Sequence, residues 1–441
     1  MDGNRPAICE PICVASTLPE DSLSSKNETS PENHSGSQVT NNHKPNYYKG
    51  AEWTPDGTTL VTDSADHHIR TYVLPPDLLE ERSSPLQLSP YSVLPSGEPS
   101  YATAIYPFYS LQDPSTTLFL SSVRDHPIRL ASALAPVTLA SYSLVNPMTE
   151  AFITPHSIVY PSTLGGTHFL TGSDSLICLF DVSRPGSDGP VSWMPTIPSK
   201  RKQIVGGGVG MKGIISAMAV NPSGDGVLAA GTFSRQIGLY GSNGSGESLG
   251  TFSIAKTEAN RHIDGRGVTQ LLWSPCGRYL YIAERQSDGV LIYDIRVTGQ
   301  LLGWLKGRKA LTNQRMKIDV VPAGESHEIW AGGTDGFMRM WEDPTRTVGE
   351  QMPTGEWKVH DDAVSSTVLH PSETVAATTS GQRHYQDDDT PTMEKALTWF
   401  DNTLKTSKHG VWWKCHGEGI ITSWSKDLRA LDRKCLTHVD V

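Results

Sequence analysis

The stretch GAEWTPDGTTLVTDSADHHIRTYVL, residues 50–74, contains three short strand-like runs separated by two polar turns. The runs GAEW, TTLVTDS and IRTYVL are rich in β-branched and aromatic residues, which suit a half-buried pleated surface. Between the first two stands Pro55-Asp56-Gly57, where proline presets φ and glycine accepts the left-handed conformation of a tight turn. Between the second and third stands Asp66-His67-His68. A three-stranded meander of this kind cannot bury both faces alone, so copies of it are expected elsewhere in the chain.

The same plan returns at 157–182, 215–240, 268–295 and 316–343. Weaker copies occupy 101–130 and 363–383, the latter completed by strands within 396–414. The aromatics closing the third strands are Tyr72, Phe180, Tyr240, Tyr293 and Trp341. Adjacent copies lie 48 to 60 residues apart, and 108 residues separate Tyr72 from Phe180, room for the weak copy between them. Strand-rich units at this period predict an all-β fold, a seven-bladed WD40-type β-propeller over residues 46–416. Asp66, Asp174 and Asp335 sit in the second turns of their units and are expected to hold their blades by hydrogen bonds.

Composition agrees with many short strands. The 441 residues include 40 glycines and 30 prolines, and only 19% are charged. Residues 1–45 are rich in Ser, Asn, Pro and Glu and carry six acids against three bases. They are expected to be a disordered N-terminal segment, because they bury too little apolar surface to offset chain entropy. Residues 417–441 are read as a C-terminal tail. No apolar run reaches the ~18–20 residues a membrane span needs, and no basic region followed by an apolar core opens the chain. An intracellular, soluble protein follows as the expectation, with no membrane association. Its six cysteines, Cys9, Cys13, Cys178, Cys276, Cys415 and Cys435, lack zinc-ligand spacing and should stay reduced.

The net charge of −10 is unusual for a nucleic-acid binder, so any such activity needs a local basic face. Propeller geometry supplies one. The turns between strands b and c share a face with the segments that lead into strand a. Arg124, Arg235, Arg285, Gln382 and Arg383 fall in b–c turns, while Lys212, Arg266, Asn313, Gln314 and Arg315 lead into strand a. These ten form the candidate rim for RNA or a partner, since the guanidinium fork suits phosphate and stacks on bases. The competing reading pairs the arginines with turn aspartates such as Asp125 and Asp288.

The chain resembles the telomerase Cajal-body WD-repeat family. The matching stretches are residues 50–78, SSVRDHPIRL, FSRQIGLY, LTNQRMKIDV, TSGQRHY and VWWKC, which together span most of 50–415. The resemblance implies a nuclear propeller associated with small non-coding RNAs or their ribonucleoproteins; fungal members are described as nuclear and splicing-associated. The chain departs from the animal pattern at Arg129-Leu130-Ala131, which replaces a closing Trp-Asp, and in long inserts at 183–210 and 241–265.

Other candidate chemistry is weak. IVGGGVGMKG (204–213) fails the P-loop pattern, because Met211 precedes Lys212 and Gly213 follows it. Ser199-Lys200-Arg201-Lys202 is a short basic cluster. His360-Asp361-Asp362 and Asp387-Asp388-Asp389 give no convergent metal ligands. Trp412-Trp413 reads as a closing strand. No catalytic constellation, cofactor or small-molecule substrate is expected. The function expected is a non-enzymatic nuclear protein whose partners are small nuclear RNA or spliceosomal ribonucleoprotein proteins, in support of pre-mRNA splicing. Alternatives are a binder of Cajal-body or telomerase-type RNA, or a purely protein-binding scaffold.

Overall fold

The computed structural model describes residues 11–17, 47–197, 210–382 and, for the backbone, 410–414. Its strands form a β-propeller. Six blades, at 48–95, 100–142, 157–195, 215–253, 268–310 and 318–358, are built on four-stranded antiparallel meanders, and the fifth gains a parallel edge strand, Gly349–Gln351, from the sixth blade's stretch of chain. A further sheet packs between the sixth blade and the first. It joins Val364–Leu369, Val375–Ser380 and Gly410–Lys414 to Ile12–Ser16, so the two ends of the chain meet in it.

Every aromatic expected to close a third strand does so, and each is buried. In the second blade Ala131 takes that place, also fully buried. The expected disorder of residues 1–45 does not hold at Ile12–Ser16. That strand pairs with Gly410–Lys414, and Ala15 packs with Ala51, Leu60, Tyr72 and Ala377. The apolar letters ICVA are too few to stand out among polar neighbours, yet they complete a sheet that lacks its outer strand.

Neighbouring blades are joined by repeated polar devices. Trp53 and Trp273 each end strand a of their blades, and each indole N–H donates to the preceding sheet, at Val368 O and Ala219 O, both 3.1 Å away. Gly57 and Gly277 hold the left-handed conformation in the turns just beyond. A Cβ on Gly57 would meet His370 Nε2 at 2.3 Å, and one on Gly277 would meet Asn221 Oδ1 at 2.2 Å. Both His370 and the Asn221 amide contact the glycine carbonyl, so the close approach is itself a bond. On the inner strands, Ser157 donates to Ile215 O, Ser216 to Val268 O, and Gln270 exchanges two hydrogen bonds with Ile318. Apolar clusters fill the space behind, such as the stacked Phe169–Phe180 pair with Tyr142 edge-on.

Of the three turn aspartates, two do what was expected. Asp66 receives the Arg70 guanidinium, and Asp335 that of Arg339, each from four residues further on. Against the upward pull of burial, hydrogen bonds from Arg70 and Ser64 hold the Asp66 carboxyl well below the usual range. Arg339 likewise lowers Asp335 to about 2. Asp174 departs from the expectation. Four residues on stands Cys178 rather than an arginine, and the carboxylate takes the hydroxyl of Ser175 instead.

Strand a carries a recurring irregularity. In five sheets its pairing with strand b slips by one residue near the start, leaving Lys49, Tyr101, Ser216, Thr269 and Ser365 without an opposite residue. Such bulges increase local twist and re-aim side chains.

Candidate functional site

The b–c turns and the strand-a lead-ins do share a face. Backbone hydrogen bonds join them: Ala65 to Tyr47, Arg124 to Pro99, Phe233 to Ile214, Arg285 to Gly267 and Gly381 to Ala363. His67, Asp125, Ser175, Arg235 and Gln286 all occupy the left-handed region in these turns, where blade six uses Gly336. Non-glycine residues held there each cost on the order of 1 kcal/mol, and such strain gathers at functional surfaces.

The ten candidate rim residues fare differently. Arg124, Lys212, Arg266 and Asn313 are exposed. Arg124 lies 3.4 Å from the carboxylate of its neighbour Asp125, a surface pair that contributes little. Asn313 accepts a hydrogen bond from Gln286. Gln314 donates to Gly381 O, and Gln382 donates to Asp362, so both fasten the face rather than project from it. That Asp362 contact, with His360 bound to Thr378, also absorbs two of the residues considered as metal ligands. Arg383, the Ser199–Lys202 cluster, Asp387–Asp389 and the start of the glycine-rich stretch lie outside the described residues.

Arg235 is a latch between blades. Its Nε and one Nη donate to the two Glu284 oxygens at 2.7 and 2.8 Å, and the other Nη reaches Asn260 at 2.5 Å. Glu284 also accepts from the Gly267 N–H. Burial pushes the Glu284 carboxyl up, with the Arg235 bonds opposing. All the Arg235 nitrogens are engaged, so the pairing the competing reading foresaw occurs here, with a strand glutamate instead of a turn aspartate.

Arg285 and Arg315 converge. The Arg285 guanidinium carbon lies 4.7 Å from the centre of the Phe233 ring, and that of Arg315 lies 5.7 Å from it. Among the described residues, the Arg285 side chain donates from its Nε alone, to Arg266 O. Arg315 extends across the top of the central channel and donates to Tyr101 O and His156 O, on blades two and three. Burial lowers its pKa, with Asp63 opposing and Arg285 reinforcing.

The channel below holds a cavity of about 580 Å³, lined by Gln314 and Arg315 but, among the described residues, by no other member of the expected rim. Lys49, Asp63, Tyr101, His156, Phe233 and Lys317 are among the other lining residues that can hold charge or stack. Sequence reading passed over these six. Lys49 and Tyr101 are bulge residues, and no local pattern separates an inward-facing Phe233 from an outward-facing one. Burial and Arg315 both lower the His156 pKa, favouring the neutral ring.

No protein-family profile matches the chain. It is 30% identical over 348 residues to Telomerase Cajal body protein 1 of Homo sapiens, an alignment covering 78% of this chain and 58% of that protein. The chain spans 58–60% of the length of the mammalian relatives of that name. It is 30% identical over 328 residues to Guanine nucleotide-binding protein negative regulator 1 of Schizosaccharomyces pombe, covering 74% of this chain and 77% of the relative. With Protein SWT21 of Kluyveromyces lactis identity is 25% over 371 residues, covering 78% of this chain and 84% of the relative. Similarity of this extent, on a propeller whose strands match the repeat, shows that the chain belongs to the WD-repeat family of Telomerase Cajal body protein 1.

Proposed function

We propose that this protein is a non-enzymatic nuclear propeller that associates with small nuclear RNA or its ribonucleoproteins and supports pre-mRNA splicing. We propose also that the further sheet is a seventh blade, closed by Ile12–Ser16. The observation that carries the proposal is the convergence of Arg285 and Arg315 on Phe233, on the face that also exposes Arg124, Lys212 and Arg266. Guanidinium groups beside an aromatic ring suit unpaired nucleotides, because the phosphate, the base face and the base edge can all be engaged. Kinship with a protein named for telomerase and the Cajal body supports the nuclear ribonucleoprotein setting. The splicing-associated part of the proposal rests on the matched stretches alone, SSVRDHPIRL, FSRQIGLY, LTNQRMKIDV and TSGQRHY among them.

The test is cross-linking of the tagged protein to RNA in its own cells, followed by sequencing. A triple variant, Arg124→Glu, Lys212→Glu and Arg266→Glu, changes exposed residues and should stay folded. A small nuclear RNA recovered with the parent and lost with the variant is the expected result. Equal recovery would remove the rim from the proposal.

One observation favours a second reading, a scaffold for protein partners. The Schizosaccharomyces pombe relative is named as a negative regulator of a guanine nucleotide-binding protein, an action on another protein. On that reading partners co-purify after nuclease treatment and the isolated chain has no affinity for RNA.

A further inference from the structure

We infer that the mouth of the central channel is a binding site for one nucleoside monophosphate unit, seated between the Arg285–Phe233–Arg315 cluster and the Tyr101–His156 stack. The unit has two possible sources with the same chemistry, a free nucleotide or an unpaired nucleotide of a bound RNA. The second source rests on the RNA reading above; the first does not.

Size is the first ground. A cavity of about 580 Å³ falls within the range of small-ligand sites, and its opening is at the face where the strained turns gather. Charge is the second. The chain as a whole carries −10, yet among the described residues the cavity lining holds Lys49, Arg315 and Lys317 against the one carboxylate of Asp63. Lys49 lies 3.9 Å from Asp63, so one cation is partly neutralised, while Lys317 contacts Glu52 at 3.7 Å. Arg315 has no carboxylate within ion-pair distance among the described residues; its partners are carbonyl oxygens. Among the described residues, neither terminal nitrogen of Arg285 has a protein partner. Two guanidinium groups drawn together on one ring repel each other, and an anion between them removes that repulsion. Phosphate fits because its oxygens accept from both forks at once.

Aromatic surface is the third ground. Tyr101 and His156 stack with ring centres 4.7 Å apart and planes 13° from parallel, and His156 meets Phe233 edge-on at 6.4 Å. The neutral His156 favoured by burial adds no charge to the stack, so it behaves as a π-surface beside the phosphate site. A base stacks on such a platform whatever its identity. Expectation from sequence did not include a small ligand, because the channel-lining residues carry no motif.

The test uses the full chain at low salt. Calorimetry measures binding of the four common nucleoside 5′-monophosphates, the matching nucleosides, inorganic phosphate, and a single-stranded RNA of about ten nucleotides. Arg285→Gln and Arg315→Lys are measured in parallel with melting temperatures. Arg285→Gln removes only one side-chain bond to protein, so it remains informative if Arg315→Lys unfolds. The expected result is binding of monophosphates, with nucleosides weaker by about tenfold or more, and a loss of about tenfold in a folded variant. RNA that competes with the nucleotide identifies the RNA source. Nucleotide binding unaffected by RNA supports the inference with a free nucleotide as its source. RNA binding at parental strength in both variants, with no nucleotide binding, overturns the inference and leaves the RNA proposal standing. Absence of binding by nucleotides and RNA alike overturns both.

Discussion

Arg124 and Arg235 lie in corresponding turns of the second and fourth blades, yet their surroundings give them opposite roles. Arg124 is solvated beside Asp125, whereas Arg235 shares both oxygens of a glutamate whose side chain is 1% exposed. Removing one partner of a buried ion pair strands the other charge, at a cost of about 3–5 kcal/mol. Arg235→Ala should therefore lower stability by that order in denaturant titration, while Arg124→Ala should stay within about 0.5 kcal/mol. Equal, small losses would show that Glu284 finds another partner. Asp319 offers a pH-dependent test. Burial raises its carboxyl to about 6, opposed by the N–H groups of Leu369 and Val320 and by Lys317. In the folded protein it binds a proton that the unfolded chain, with an ordinary carboxylate, releases near pH 4. Its contribution is thus fully present below about pH 4 and is lost as pH rises through about 6, a change on the order of 3 kcal/mol. Asp319→Asn should flatten the pH dependence of the melting temperature across that window. An unchanged slope would assign the effect elsewhere.

At the scale of strands and turns, the joints between blades matter more than the blades themselves. The Trp53 and Trp273 indoles make the same bond to the preceding inner strand, in units that share little sequence beyond the aromatic and the turn. Replacing each by Phe keeps most of the apolar area and removes one N–H donor, leaving a carbonyl without its partner. A loss of about 1 kcal/mol per site, adding between the two distant sites, is expected from chemical denaturation. Strand order and third-strand aromatics could be read from sequence because β-branched runs, Pro-x-Gly turns and a repeat of about fifty residues are local signals. The channel lining could not be read in this way. Whether Tyr101 faces the lumen depends on a one-residue slip in pairing, which no composition records. The same limit applied to the rim: Arg235 and Arg315 look alike in sequence, and only the positions of Glu284 and of the Tyr101 carbonyl separate them.

For the whole molecule, the meeting of the two chain ends in one sheet is the decisive arrangement. Ile12–Ser16 pairs antiparallel with Gly410–Lys414 and parallel with Leu86–Gln87, tying the ends to the first blade. Ala15 is fully buried where it packs on Leu60 and Tyr72. Ala15→Asp would place an unpaired charge there, with no volume to spare. Melting followed by near-ultraviolet dichroism and by limited proteolysis should coincide in the parent. In the variant, cleavage near both ends should precede loss of the tertiary signal. Coincident transitions in the variant would mean that the strand is dispensable for closure.

The slipped residues of strand a carry a consequence for divergence. Lys49, Tyr101, Ser216 and Thr269 reach the cavity from positions that face no residue across the ladder. A change at Tyr101 therefore alters the width of the lumen without taking a ladder partner from any sheet, and one at Lys49 alters its charge at the expense only of the ion pair with Asp63. The scaffold has in effect separated two inheritances: a wheel whose parts constrain one another, and a hub whose surface can drift or be redesigned on its own.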